Sequence, residues 1–127
     1  MREMTEGHVD DETKLVIEWA PFRLASGATE ASLLEASESL QREFLDRCAG
    51  FLRRELLCGT DGQWADLVYW SDEASAQAAA RVVGDSPVCL RYFNLMVPHD
   101  AEHPEGGMLH LHRVRSYALA QHEPAGQ

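Results

Sequence analysis

The sequence predicts an α+β fold, a four-stranded antiparallel sheet with helices on one face, and three observations lead to it. Short runs rich in Val, Ile, Trp, Phe and Tyr are interleaved with segments whose apolar residues recur at three- and four-residue spacing. Gly, Pro and Asp turn signals bound those runs, and one Asp-Gly pair separates two of them. The 127 residues, 45% of them hydrophobic, suffice for one core and therefore one domain.

Residues 14–23, "KLVIEWAPFR", carry β-favouring Val, Ile, Trp and Phe, and read as a first strand. After the loop "LASGAT", Thr29 is a candidate N-cap, and Leu33, Ser37, Leu40, Phe44 and Cys48 then mark one face of a helix that closes near Gly50. "GFLRRELLCG" and "WADLVYW" read as a hairpin turned by "TDGQ". Ser71 or Asp72 can cap an alanine-rich helix running to Gly84. Pro87 then interrupts, "VCLRYFNLM" supplies a second short helix, and residues 108–117, "MLHLHRVRSY", form the last strand. The order strand, helix, strand, strand, helix, strand is that of the ferredoxin-like split βαβ arrangement.

Residues 1–13 carry Glu3, Glu6, Asp10, Asp11 and Glu12 with almost no apolar side chain, so burial cannot offset their ordering entropy. A flexible acidic N-terminal tail is expected, then a domain over 14–119 and a C-terminal tail over 120–127. Acidic residues outnumber basic ones 21 to 11, and a net charge of −10 opposes binding to nucleic acid or anionic membrane. No apolar run reaches the roughly 18 residues of a membrane helix, and the N-terminus lacks a signal-peptide pattern, so a cytoplasmic protein is expected. Cys48, Cys58 and Cys89 are odd in number and form no CxxC pair, which points to buried small hydrophobes and not to a disulfide or thiolate site.

Side-chain parity is the informative feature of the strands. In the first, Leu15, Ile17 and Trp19 share one face, and Val16, Glu18, Ala20 and Phe22 the other; in the last, His110 and His112 oppose Leu109 and Leu111. Neither parity is uniformly polar, so both sheet faces should be covered, and a second copy of the chain is the economical cover for the face without helices.

The stretches "VIEWAPFRL", "GFLRRELL", "WADLVYWSDEASAQAAA" and "LHLHRV" together resemble the dimeric α+β barrel superfamily, and within it the small antibiotic biosynthesis monooxygenase-like proteins. The resemblance lies in the order of elements, a Gly-Phe opening the second strand, and a tryptophan, Trp70, ending the third strand before an alanine-rich helix. It implies a homodimer that binds a small apolar or aromatic molecule and oxygenates it with no cofactor. The chain departs from the family at Val68, where a glutamate is common, and at Ser75, Gln77 and Ala78, where a histidine is common; its sole asparagine, Asn94, is not near the first strand, as the haem-degrading branch requires.

The candidate catalytic bases are His110 and His112, histidine being the side chain most often used as a general base. Trp70, Trp19, Glu18, Asp66, Arg54, Tyr92 and Phe93 are the candidate substrate contacts: aromatic walls, carboxylates whose basicity burial would raise, and a cationic anchor. The competing readings are cross-strand ion pairs for Glu18, Asp66 and Arg54, and core packing for the aromatics. Two histidines two apart on a strand, with His99 and His103 in the preceding loop, could ligate one metal, but no carboxylate pattern completes a site and no metal is expected. The alternative function is a non-catalytic homodimer, structural or binding in role, whose polar groups serve only to set dimer register.

Overall fold

The computed structural model describes residues 14–98 and 108–120; the expected N-terminal tail, His99, His103 and most of the C-terminal tail lie outside them. Among the described residues, strands β1 (Val16–Arg23), β2 (Phe51–Cys58), β3 (Gln63–Trp70) and β4 (Leu109–His112) form one sheet in the order β2-β3-β1-β4. All neighbours are antiparallel. Helix α1 (Glu30–Glu43) links β1 to β2, while α2 (Glu73–Val82) and α3 (Pro87–Phe93) link β3 to β4. This is the ferredoxin-like topology, with helices on one face of the sheet.

Local chemistry sets the boundaries. Thr29 caps α1 through a reciprocal box with Ser32, and Asp72 caps α2 by accepting from the Ser75 amide. Pro87 does not interrupt as the sequence suggested. It is the first residue of α3, where its missing N–H costs nothing, behind a Ser86 cap. Helix α1 stops short of Gly50 because Phe44 leaves helical geometry, and the 3-10 turn Leu45–Arg47 folds Leu45 into the core. Gly50 itself has φ +84° and a β-carbon there would run into the Ser75 side chain, so only glycine allows β2 to start this close to α2. In the β2–β3 turn, Asp61 and Gly62 both have positive φ, as a tight hairpin with right-handed twist requires.

The last strand is shorter than expected, four residues in place of the ten of 108–117. It pairs only with β1, from Trp19↔Leu109 to Val16↔His112, and beyond His112 no β1 residue remains to pair with, so the chain leaves the sheet and Val114 is exposed. Of the cysteines, Cys89 is buried as expected, Cys48 is half-buried and Cys58 is exposed at the end of β2.

Register assigns the faces. The pairs Val16↔Trp70, Glu18↔Val68, Ala20↔Asp66 and Phe22↔Trp64 point toward the helices, and Val16, Val68 and Trp70 join Leu33, Leu40, Ala76, Cys89 and Tyr92 in the core. The opposite face bears Ile17, Trp19, Leu67, Tyr69, Leu109 and Leu111 and carries no helix among the described residues; Leu109 and Leu111 stay 46% and 48% exposed. No described helix is long and apolar enough to cross a membrane.

Candidate functional site

A cavity of about 390 Å³ lies between the helix-facing side of the sheet and the helices. Its walls are mostly apolar, with Phe22 and Val68 from the sheet, Leu40 from α1, Phe44 just after it, Trp70, and Met96 beyond α3. Glu18, Arg54, Asp66 and Tyr92 supply the polar groups.

Two clusters organise those groups. In the first, Arg54 of β2 donates from Nε to Asp66 Oδ1 at 2.8 Å, from NH2 to the Tyr92 hydroxyl at 3.0 Å, and from NH1 to the Ser37 carbonyl at 3.2 Å. Tyr92 in turn donates to Asp66 Oδ2 at 2.7 Å. The Arg54 and Asp66 side chains are only 6% and 9% exposed. Burial alone would lower the pKa of Arg54, but Asp66 and Tyr92 outweigh it and the guanidinium is held firmly charged. Burial, reinforced by Asp66, drives the Tyr92 phenol far above its ordinary value, so it serves as a fixed hydrogen-bond donor. The cluster ties β2, β3, α1 and α3 together.

The second cluster is looser. Glu18 of β1 stands opposite His110 of β4, and Trp70 Nε1 donates to Glu18 Oε1 at 3.1 Å. His110 Nε2 lies 3.7 Å from that oxygen, beyond hydrogen-bond reach, and is buried with no partner among the described residues. Both side chains are 19% exposed. Burial pushes the Glu18 carboxyl above its ordinary value of 4.5; the Trp70 hydrogen bond and His110 pull part of the way back, and Asp66 adds to the rise.

The structure thus places Glu18, Asp66, Arg54, Trp70, Tyr92 and Phe93 around one cavity. Trp19 points the other way, into a broader open groove of about 960 Å³. His110 stands behind Glu18 and is not part of the cavity wall, while His112 is at the surface, 57% exposed, with Nε2 3.2 Å from Glu73 Oε1. Glu18, Arg54, Asp66 and His110 all face the helices, so none of them sets a register on the uncovered face. The apolar stripe of α1 pointed to core packing, and nothing in its periodicity revealed that Leu40 and Phe44 leave a void. The Glu18–His110 juxtaposition follows from the β1–β4 register, which residue parity alone does not provide. Among the described residues no group of three or more His, Cys, Asp or Glu could hold a metal ion.

No protein-family model and no curated protein matches the chain. Solved structures do. The cofactor-independent oxygenase SnoaB from Streptomyces nogalater superposes with a TM-score of 0.61 over 85% of this chain and 99% of its own, at 17% identity. A candidate antibiotic biosynthesis monooxygenase from Caulobacter crescentus CB15 gives 0.59 over 87% and 99%, at 10% identity. Protein SO0527 from Shewanella oneidensis gives 0.56 over 80% and 92%, at 22% identity. The chain is similar in fold to these small α+β proteins, and at such identities the likeness extends to the fold alone.

Proposed function

We propose that each protomer binds a small, largely apolar or aromatic molecule in the cavity and oxygenates it without a cofactor, within a homodimer whose second copy covers the bare sheet face. The observation that carries this reading is a cavity of about 390 Å³ in which a carboxylate made more basic by burial meets apolar and aromatic walls. The fold shared with a cofactor-independent oxygenase supports it.

The chemistry needs little from the protein. A substrate methylene flanked by a carbonyl or aromatic rings loses a proton to the Glu18–His110 pair. The resulting carbanion transfers electrons to dioxygen and forms a C–O bond, and the peroxide anion takes a proton back from the Glu18–His110 pair. The hydroperoxide then loses water to leave a ketone, so that CH2 and O2 become C=O and H2O. Trp70 holds Glu18 in place, the aromatic wall including Phe93 orients the ring, and the Arg54–Asp66–Tyr92 cluster fixes the cavity floor.

The test is oxidation of 1,8-dihydroxyanthrone under air, followed by absorbance of the quinone product. Turnover above the spontaneous rate, lost when Glu18→Gln is introduced, is expected; oxidation at the spontaneous rate would sink the reading. Light scattering should give twice the 14.2 kDa chain mass, and Leu111→Arg, placed on the bare face, should give monomers.

A further inference from the structure

We infer that Glu18 and His110 form a two-residue proton exit, in which Glu18 takes the proton from the bound molecule and His110 carries it out of the cavity across the edge of the sheet. This rests on the cavity reading above and assigns the two residues different work.

Position separates their roles. Glu18 is in the cavity wall, whereas His110 is not, and His110 Nε2 faces the cavity through Glu18, 3.7 Å from its Oε1. His110 lies on β4, which has β1 on one side and no strand on the other among the described residues, so its ring sits between the interior and the edge of the sheet. Trp70 occupies Glu18 Oε1, and Oε2 has no partner among the described residues and is available to a bound molecule. The His110 nitrogen that faces Glu18 is the one buried polar side-chain atom without a partner among the described residues. A separation of 3.7 Å is too long for transfer at rest; catalytic contacts of this kind shorten when the site is filled. The other charged group acting on Glu18 is Asp66 of β3, engaged by Arg54 and Tyr92, while Glu73 of α2 contacts His112.

The sequence of transfers is balanced. The Glu18 carboxylate takes the proton of the bound molecule and becomes a carboxylic acid. It passes that proton to His110 Nε2, forming an imidazolium, which releases its Nδ1 proton to water. When the peroxide anion forms, the path runs in reverse: Nδ1 takes a proton from water, Nε2 returns its proton to Glu18, and Glu18 protonates the peroxide, so the ring is reset and no proton is released overall.

Two measurements test this. With 1,8-dihydroxyanthrone as probe, His110→Ala should lower kcat at least about tenfold with KM unchanged, and imidazole added to the buffer should restore most of the loss. Glu18→Gln should lose activity without rescue. Wild-type turnover by His110→Ala, or a loss that imidazole leaves untouched, would overturn the exit. If the wild-type protein fails to oxidise the probe, the functional reading falls separately, and NMR titration decides the pair. A titration of the Glu18 carboxyl that changes when His110→Ala is introduced supports it. A Glu18 titration unchanged by His110→Ala overturns it.

Discussion

The Arg54–Asp66–Tyr92 cluster and the Glu18–Trp70–His110 cluster lie on the same covered face of one sheet, and they spend their hydrogen-bonding capacity differently. In the first, both Asp66 oxygens accept, Tyr92 both donates and accepts, and Arg54 donates from all three of its nitrogens. In the second, one carboxylate oxygen accepts one bond and a buried ring nitrogen has none among the described residues. A saturated buried ion pair gives up stability if either partner is removed and has little left to offer a ligand. An unsaturated one is already unfavourable, and a bound molecule or a proton can improve it. The contrast separates a saturated, structural cluster from one with bonding capacity to spare within a few residues of the same strands.

The largest effect should follow from breaking the saturated cluster. Asp66→Ala leaves Arg54 buried without its counter-charge and is expected to destabilise the fold by about 3–5 kcal/mol, read by urea denaturation. A loss below about 1 kcal/mol would show that water replaces the carboxylate and that the two clusters do not differ as described. Tyr92→Phe keeps the ring in the core and removes only the hydroxyl between Arg54 and Asp66. A cost of about 1–2 kcal/mol is expected, with the m-value unchanged.

Much of the architecture was legible because it rests on periodicity and turn chemistry. Thr29, the Asp61–Gly62 turn and the alanine-rich run after Asp72 each act through neighbours in sequence. The length of β4 was not, because it is limited by where β1 begins at Val16, a partner remote in sequence. Parity correctly grouped His110 with His112 on one face, but a displacement of two residues along a strand, about 7 Å, takes one ring beside Glu18 and the other out to Glu73. Composition suggested the cavity's polar residues without saying which would be saturated. That depends on Arg54 meeting Tyr92, residues 38 apart in the chain, across the sheet–helix interface.

Replacing Glu18 sharpens the comparison from the other side, because here removal of a charged group should stabilise. The folded pKa of Glu18 lies above the ordinary 4.5, chiefly through burial. Below that ordinary value both folded and unfolded chains hold the proton, and no difference arises. As pH rises past it the unfolded chain ionises first, so the folded state binds more protons and stability falls until the folded carboxyl has also ionised. Glutamine carries no proton to lose and can still accept from Trp70 through its amide oxygen. Glu18→Gln is therefore expected to leave Tm unchanged near pH 4 and to raise it at pH 8, with the gain developing between the two. Thermal melts across that range check it. A variant less stable than wild type at pH 8 would mean that Glu18 already has a full set of partners, and the distinction between the two clusters would collapse.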